Sequence, residues 1–222
     1  MRAIFGLFRP RLGNGVYPVW KVTAHPWSCD CLGYIWGNKL VVMETLKGAM
    51  ELTIRRGDSG DLDLLVVLGR KTFVEAFGEL NTEENMRLFL EKNFRREAFE
   101  EEMKEEGAVF FIAYLGAQAV GFSKVRVGHE PEELKEIRAI EVERIYVDKD
   151  YQGKKIGWRL MENNIRYGEE SGFEVIWLGV WEHNAGAIRF YKSRGFEVFG
   201  EHDFWLGNDR QTDVLMKRRI AL

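Results

Sequence analysis

Seven consecutive residues, VIWLGVW at 175–181, carry no charge and no small polar side chain. The run has the length of a strand and is too short for a helix of ordinary size. A strand that is apolar at every position has no face to give to water, so both faces must be covered. The flanking segments supply the covers. Before the run, GWRLMENNIRYGEESG follows Ile156, and Ile156, Leu160, Met161 and Ile165 fall on one helical face. After it, NAGAIRFYKSRG reads as a helix closed by Gly195. Helices on both sides of a buried strand predict an α/β (α+β) layer architecture around a mixed central sheet.

The remaining segments extend this plan. MELTIRR alternates and reads as a strand. DSGDLDLLVVLGRKTFVEAFG opens on Asp and Ser capping candidates and repeats Leu62, Leu65, Val66 and Gly69 at helical spacing. NTEENMRLFLEKNF begins with Asn81, Thr82 and two glutamates, a good helix opening. REAFEEEMKEEG is a second, acidic helical piece ending at Gly107. AVFFIAYLG and QAVGFSKVRVG form a hairpin across a short glycine-containing turn. After the acidic loop HEPEELKE comes the strand RAIEVERIYV, and FEVFGEHDFWLG and TDVLMKRRI close the chain as strands. The predicted order is β-α-α-β-β-β-α-β-α-β-β, about seven strands flanked by helices. Its linkers are short, which makes residues 50–222 one domain.

Residues 1–49 break the pattern. They hold Trp20, Trp27, Trp36 and three of the four prolines, and no helical period persists, although VYPVWKVT could be a short strand. Met43 and Met50 are both candidate starts of a shorter product. The segment reads as an N-terminal extension, either a small addition to the fold or foreign to it. It carries six Lys/Arg against two Asp/Glu, leaving 26 against 33 in the rest of the chain. An acidic main domain speaks against a nucleic-acid partner and suits a cationic substrate. Both cysteines, Cys29 and Cys31, lie in the extension, so residues 50–222 contain no thiol nucleophile. The Cys-Asp-Cys pair offers two of the four ligands a zinc site wants, with only His25 near; free thiols are the preferred reading and no metal is expected. No run approaches the ~20 apolar residues of a membrane helix. The basic start, MRAIFGLFRPRLG, makes a poor secretory signal. The expectation is a cytoplasmic protein with no membrane partner.

Chemistry gathers in two places. DKDYQGKKIGWRLM, residues 148–161, leaves a strand through two glycines and two lysines and then turns helical. In that context successive main-chain N–H groups can form an anion nest at a helix N-terminus. A plain strand-to-helix connector has the same outline. The pattern matches neither nucleoside-triphosphate nor dinucleotide loops. The second place is WEHNAGAIRFYKSRGF, where Asn184, Ala187 and Tyr191 share one helix face. Packing of Tyr191 beside Phe190 is the plainer account of that residue.

Together these segments resemble the GCN5-related N-acetyltransferase (GNAT) superfamily, which uses acetyl-CoA. Its Q/R-x-x-G-x-G/A pyrophosphate loop corresponds to Gln152, Gly153, Lys154, Lys155, Ile156 and Gly157, with Lys155 where the family usually has glycine. Its N-x-x-A-x-x-F-Y-x-x-x-G-F segment is intact from Asn184 to Phe196. The resemblance spans residues 51–219. NTEENM, EVERIYV, WLGVWEHN and EVFGEHDFWLGNDRQTDVLMKR bring the chain nearest to bacterial spermidine/spermine N-acetyltransferases. It implies acetyl-CoA as co-substrate, with the pantetheine along the backbone of Ile145, Tyr146 and Val147. The pyrophosphate then sits on the amides of residues 152–158, ending at Trp158. Asn184 hydrogen-bonds the pantetheine arm beside Ala187, and Tyr191 donates a proton to the departing thiolate.

An aliphatic amine arrives protonated and needs a base. Glu141 and Glu143 alternate with Ile145 and Val147 and are expected on their face. By the resemblance Glu143 is the base and Glu141 the second choice, unless either pairs with Arg138 or Arg144. A main-chain N–H, that of Ile145, would take the oxyanion. Cation recognition could come from residues 97–106 or 130–136, the first spaced as a solvated helix face. Phe73, Phe77 and Tyr146 suit an acceptor channel or the core. His129, His183 and His202 show no ligand spacing. The leading reading is direct acetyl transfer to a primary amine, a small molecule such as spermidine or spermine. Acetylation of a protein or peptide amine, and a CoA-binding regulator without turnover, stand as alternatives. FFIAYL and VIWLGVW could support a homodimer contact, and core packing explains them as well.

Overall fold

The structure, a computed structural model, describes residues 51–220. The expected extension, Cys29, Cys31 and the strand at VYPVWKVT lie outside the described residues.

Strand β1 (Leu52–Arg56) leads into helix α1 (Leu62–Phe77), followed by α2 (Glu83–Asn93) and α3 (Arg96–Lys104). The polar openings act as caps. Asp58 accepts from the Gly60 N–H at 2.8 Å while Asp61 accepts from the Asp58 N–H at 3.0 Å, closing a turn that feeds α1. Thr82 caps α2 by accepting from the Asn85 N–H at 3.3 Å. REAFEEEMK forms a helix of its own, so three helices stand between β1 and β2 where the predicted order counts two. The break falls at Phe94, which leaves helical geometry at φ −123° with its ring buried.

The hairpin β2 (Val109–Leu115) and β3 (Gln118–Arg126) precedes β4 (Ala139–Val147), α4 (Ile156–Glu170) and β5 (Val175–Trp181). Helix α5 (Ala185–Ser193) and the hairpin β6 (Glu197–Leu206) and β7 (Asp209–Arg219) complete the fold. The seven strands form one sheet in the order β1-β2-β3-β4-β5-β7-β6. Only β4 and β5 run parallel, which makes the sheet mixed as expected.

Helices divide between the two faces. The first three pack Leu65, Phe73, Phe89, Phe94 and Phe99 onto one face of β2–β4. On the other, Ile156, Leu160, Met161 and Ile165 of α4 join Tyr191 of α5 against Ile140, Val142, Ile145 and Val147. Both middle strands are covered on each side: β4 is buried throughout and β5 from Val175 to Val180. At ~25 cal/mol per Å² of apolar area, that double cover is the main stabilising term of the fold.

Candidate active site

The two buried parallel strands touch for a short distance. Register pairs join Ala139 to Val175, Ile140 to Ile176 and Glu141 to Trp177; the described residues of β5 meet β4 no further. Both strands run the same way, so a wedge opens between them toward their carboxyl ends. That is where open α/β sheets place ligands.

The suspect loop stands at the mouth of the wedge. Asp148 accepts from the Asp150 N–H at 3.1 Å and from Lys71 at 2.5 Å, which pins the exit from β4. Gln152 donates to the Val147 carbonyl at 3.3 Å. The chain then reverses through Gly153 at φ +79° and Lys155 at φ +63°, and α4 starts at Ile156. Among the described residues Lys155 is the one non-glycine with positive φ, a conformation that costs a side-chain-bearing residue about 1 kcal/mol. Gln152, Gly153, Lys154 and Lys155 are exposed, whereas Ile156 and Gly157 are buried. The result is a solvent-facing turn of main-chain amides on a fifteen-residue helix, with two lysines beside it. This geometry suits a bound anion.

Helix α5 presents its expected face inward: Asn184, Ala187 and Tyr191 are all buried. Asn184 caps the helix, its Oδ1 accepting from the Ala187 N–H at 3.0 Å. A hydrogen bond from Asn184 to a ligand would therefore come from the amide NH₂. Tyr191 packs edge-on against Phe190 and Phe196, so the plain packing account holds as well. Burial pushes its phenol pKa above the usual tyrosine value, with Tyr146 adding in the same direction. Ile145, Val147, Ile156, Ala187 and Tyr191 belong to one core cluster, and Trp158 packs against it. Three separate motifs are thereby brought together.

The glutamates depart from expectation. In the β3–β4 register Lys124 faces Arg144 and Val125 faces Val142, so Glu143 is the extra residue of a β-bulge. The bulge resets the alternation. Ile145 and Val147 fall with Ile140 and Val142 on the α4 side, while Arg144 lies over the Phe94 and Phe99 rings on the α1–α3 side. Strict alternation, which would put Glu141 and Glu143 on one face with Ile145 and Val147, is broken at that residue.

Both glutamates are held in ion pairs, the alternative to a free base, but with Lys124 and Arg126 of β3 as the close partners. Glu143 meets Lys124 at 2.6 Å and Arg126 at 3.1 Å, and Glu141 meets Arg126 at 2.7 Å. Lys124 also reaches Glu102 and Glu105, each at 3.2 Å, and Glu105 meets His129 at 2.8 Å. Residues 97–106 are thus only partly a solvated face. Burial works to raise the Glu143 pKa, but Arg144, Lys124 and Arg126 outweigh it and hold the carboxyl well below the usual range. It is ionised throughout the neutral region.

Glu143 and Arg126 also line an open cavity of about 570 Å³, with Phe89, Lys92, Phe204 and Trp205 among its walls. Phe73, Phe77 and Tyr146 are absent from that lining and sit in the aromatic core. Sequence reasoning missed Lys124, Arg126 and Lys92. A signal existed: two basic residues at i and i+2 in the mostly apolar β3, matching the two acidic ones in the next strand. No group of three or more His, Cys, Asp or Glu side chains among the described residues could hold a metal ion. No described helix is long and apolar enough to cross a membrane.

Comparison with known proteins follows the same outline. The model of the acetyltransferase (GNAT) family matches residues 73–196. An uncharacterised N-acetyltransferase from the pepI 3′ region of Lactobacillus delbrueckii subsp. lactis is 38% identical over 161 residues, covering 72% of this chain and 93% of that protein. A spermine/spermidine N(1)-acetyltransferase of Bacillus subtilis is 32% identical over 92 residues, covering 41% of this chain and 60% of its own. Among solved structures, the PaiA N-acetyltransferase of Thermoplasma acidophilum in complex with coenzyme A superposes with a TM-score of 0.62 at 21% identity, covering 77% of this chain and 99% of that one. A family match over more than half of the residues, on a sheet that parts between β4 and β5 above a glycine-bearing loop, leads to one conclusion: the chain belongs to the acetyltransferase (GNAT) family.

Proposed function

We propose that the chain transfers acetyl from acetyl-CoA to the primary amine of a small molecule by direct attack. The observation that carries this reading is the parting of β4 and β5 beyond Glu141 and Trp177, immediately before the loop at 152–157. The fit is good: a wedge of strand width for an extended amide-bearing arm, and a turn of exposed amides with two lysines for a diphosphate. Acetyl-CoA supplies an activated acyl group and a thiolate leaving group. The backbone of Ile145, Tyr146 and Val147 lines the arm as a neighbouring strand would. The amides from Gln152 to Trp158, through Gly153, Lys154, Lys155, Ile156 and Gly157, hold the diphosphate. Asn184 and Ala187 flank the arm on the α5 side.

Glu143 is the group we assign to the amine, with Glu141 second. Glu141 lies within the paired part of β4, opposite Trp177, while Glu143 lies beyond it and lines the cavity. A carboxylate held so far below its usual range is a weak base for an ammonium of pKa near ~10. It serves by drawing the ammonium in and passing its proton through a water, with Arg126 yielding part of its contact. The Ile145 N–H serves the oxyanion. Tyr191, kept protonated by burial, is suited to donate to the thiolate.

The acceptor is a finer matter. Polyamines are expected from the sequence, and their support is the name of the Bacillus subtilis relative. The lining of the cavity, with Lys92 and Arg126 on it, adds nothing to that support. Thiol release from acetyl-CoA across a panel of primary amines tests the reading. Acceptor-dependent release supports it; binding of acetyl-CoA with no amine turned over favours a regulator.

A further inference from the structure

We propose that the acceptor is a zwitterion, an α-amino acid with an apolar or aromatic side chain, its ammonium on Glu143 and its carboxylate on Arg126. The proposal rests on the acetyl-transfer reading above and narrows its acceptor.

The cavity at Glu143 has an unusual charge pattern for a site that takes an amine. Among the described residues that line it, Glu143 is the one carboxylate, and Lys92 and Arg126 are cations. The Glu143 charge is already met by Lys124 at 2.6 Å and by Arg126 at 3.1 Å. A molecule with several ammonium groups entering this space finds one neutralised anion and two positive charges. Like charges at close range are unfavourable in proportion to the loss of water around them. A zwitterion meets no such mismatch. Its opposite charges are borne on one carbon, a spacing comparable to the 3.1 Å between Glu143 Oε1 and the Arg126 guanidinium. It can lie antiparallel to that ion pair, so Glu143 and Arg126 each gain an opposite charge while giving up only part of their mutual contact.

The guanidinium is suited to this. Glu141 occupies Nε and Glu143 one terminal nitrogen, and no third carboxylate among the described residues claims the other. Arginine binds carboxylates through such in-plane donors, and it stays charged at any working pH. Lys92, in the last turn of α2, has no carboxylate within ion-pair distance among the described residues and adds a second, more exposed cation at the same wall. The rest of the wall is apolar. Phe89 and Phe204 are buried, and Trp205 is 57% exposed despite its size. An indole held in water beside two phenylalanines is a ready cover for a hydrocarbon side chain.

The step balances. The amine nitrogen, after losing its proton by way of Glu143 to solvent, bonds to the acetyl carbon. The carbon–sulfur bond breaks, and its electron pair leaves on sulfur, which takes a proton. The sum is ammonium and thioester giving amide, thiol and one proton. The N-acetyl product is a plain anion with nothing left to hold against Glu143, which favours its release.

The full chain is first titrated with acetyl-CoA by calorimetry, and thiol release is then measured with matched acceptors. Phenylalanine is compared with phenethylamine, methionine with its decarboxylated amine, and both with spermidine, each rate referred to the fraction of free base. The expected result is a kcat/KM for each amino acid at least ten times that of its decarboxylated partner and of spermidine. In Lys92→Glu, an exposed position, checked for folding by circular dichroism, the ratio falls at least fivefold, chiefly through KM of the amino acid. Arg126→Met, checked for folding by circular dichroism, reduces the ratio further. Acetyl-CoA heat with spermidine or the decarboxylated amines used as well as the amino acids overturns the zwitterion. Absence of acetyl-CoA heat overturns the acetyl-transfer reading itself.

Discussion

Replacing Lys124 with methionine removes the shared cation of three carboxylates while keeping nearly the same volume. Lys124 is 1% exposed and lies 2.6 Å from Glu143 and 3.2 Å from each of Glu102 and Glu105. Without it, Glu102, Glu105, Glu141 and Glu143 are left with Arg126, Arg144 and, for Glu105, the His129 imidazole. A unit pair about 3 Å apart is worth about 5 kcal/mol at an effective dielectric constant of about 20, before desolvation. Removing one partner of a buried pair costs about 3–5 kcal/mol. Glu102 and Glu105 keep some water, at 19% and 30% exposure, and Arg144 still holds Glu102 at 2.5 Å. The expected loss is therefore at the lower end, about 3 kcal/mol at neutral pH. The pH dependence carries a sign. In the folded protein the Glu143 pKa lies well below the ordinary carboxylate range, and that of Glu105 is lowered by His129 and Lys124 against the opposing effect of burial. The stability they contribute is present above their unfolded pKa and disappears as pH falls through the folded one. Losing Lys124 raises those folded values, so the gap between variant and parent is widest near neutrality and narrows on acidification. Urea unfolding of both proteins at about pH 7 and about pH 4.5 measures it. A neutral-pH loss under about 1 kcal/mol with unchanged m, or a gap that widens in acid, refutes the reasoning.

Further outcomes are specific. Tyr191→Phe lowers kcat about 100-fold or more, and by the same factor from about pH 7 to about pH 9, because the buried phenol stays protonated across that range; full retention of kcat removes Tyr191 from the chemistry. Lys155→Gly relieves a left-handed residue at φ +63° and stabilises the fold by about 0.5–1 kcal/mol in urea titrations, and a loss would mean that the lysine side chain is itself held. Gly121→Ala places a Cβ 2.7 Å from the Tyr146 carbonyl oxygen and destabilises by about 1–3 kcal/mol. Because β4 must shift at Tyr146 and Val147 to make room, KM for acetyl-CoA rises more than kcat falls; steady-state kinetics separates the two.

What could be read from the sequence was local. The apolar run at 175–181, the loop at 152–157 and the helix face of Asn184, Ala187 and Tyr191 each state their conformation within a few residues, and the structure has them so. What could not be read depends on two strands meeting in a particular register. The bulge at Glu143 exists only in the pairing of β3 with β4, and it undoes the alternation on which the face of Glu143 was argued. The partners of that glutamate, Lys124 and Arg126, lie seventeen or more positions away, and their i, i+2 spacing gains its meaning only when β3 is set beside β4. The division of α2 from α3 after Phe94 was legible as two helical pieces, and only the summed order counted them as one.

The parting of β4 from β5 also governs how the molecule holds itself together. Among the described residues, three register pairs are the sole sheet contact between the β1–β4 half and the β5–β7–β6 half. A long guest lodged in the gap acts as a missing crosspiece and fastens one half to the other. Slowing of amide exchange on adding acetyl-CoA then extends through β5 into β7, which does not border the gap, and is least in the β1–β2 pair on the far side.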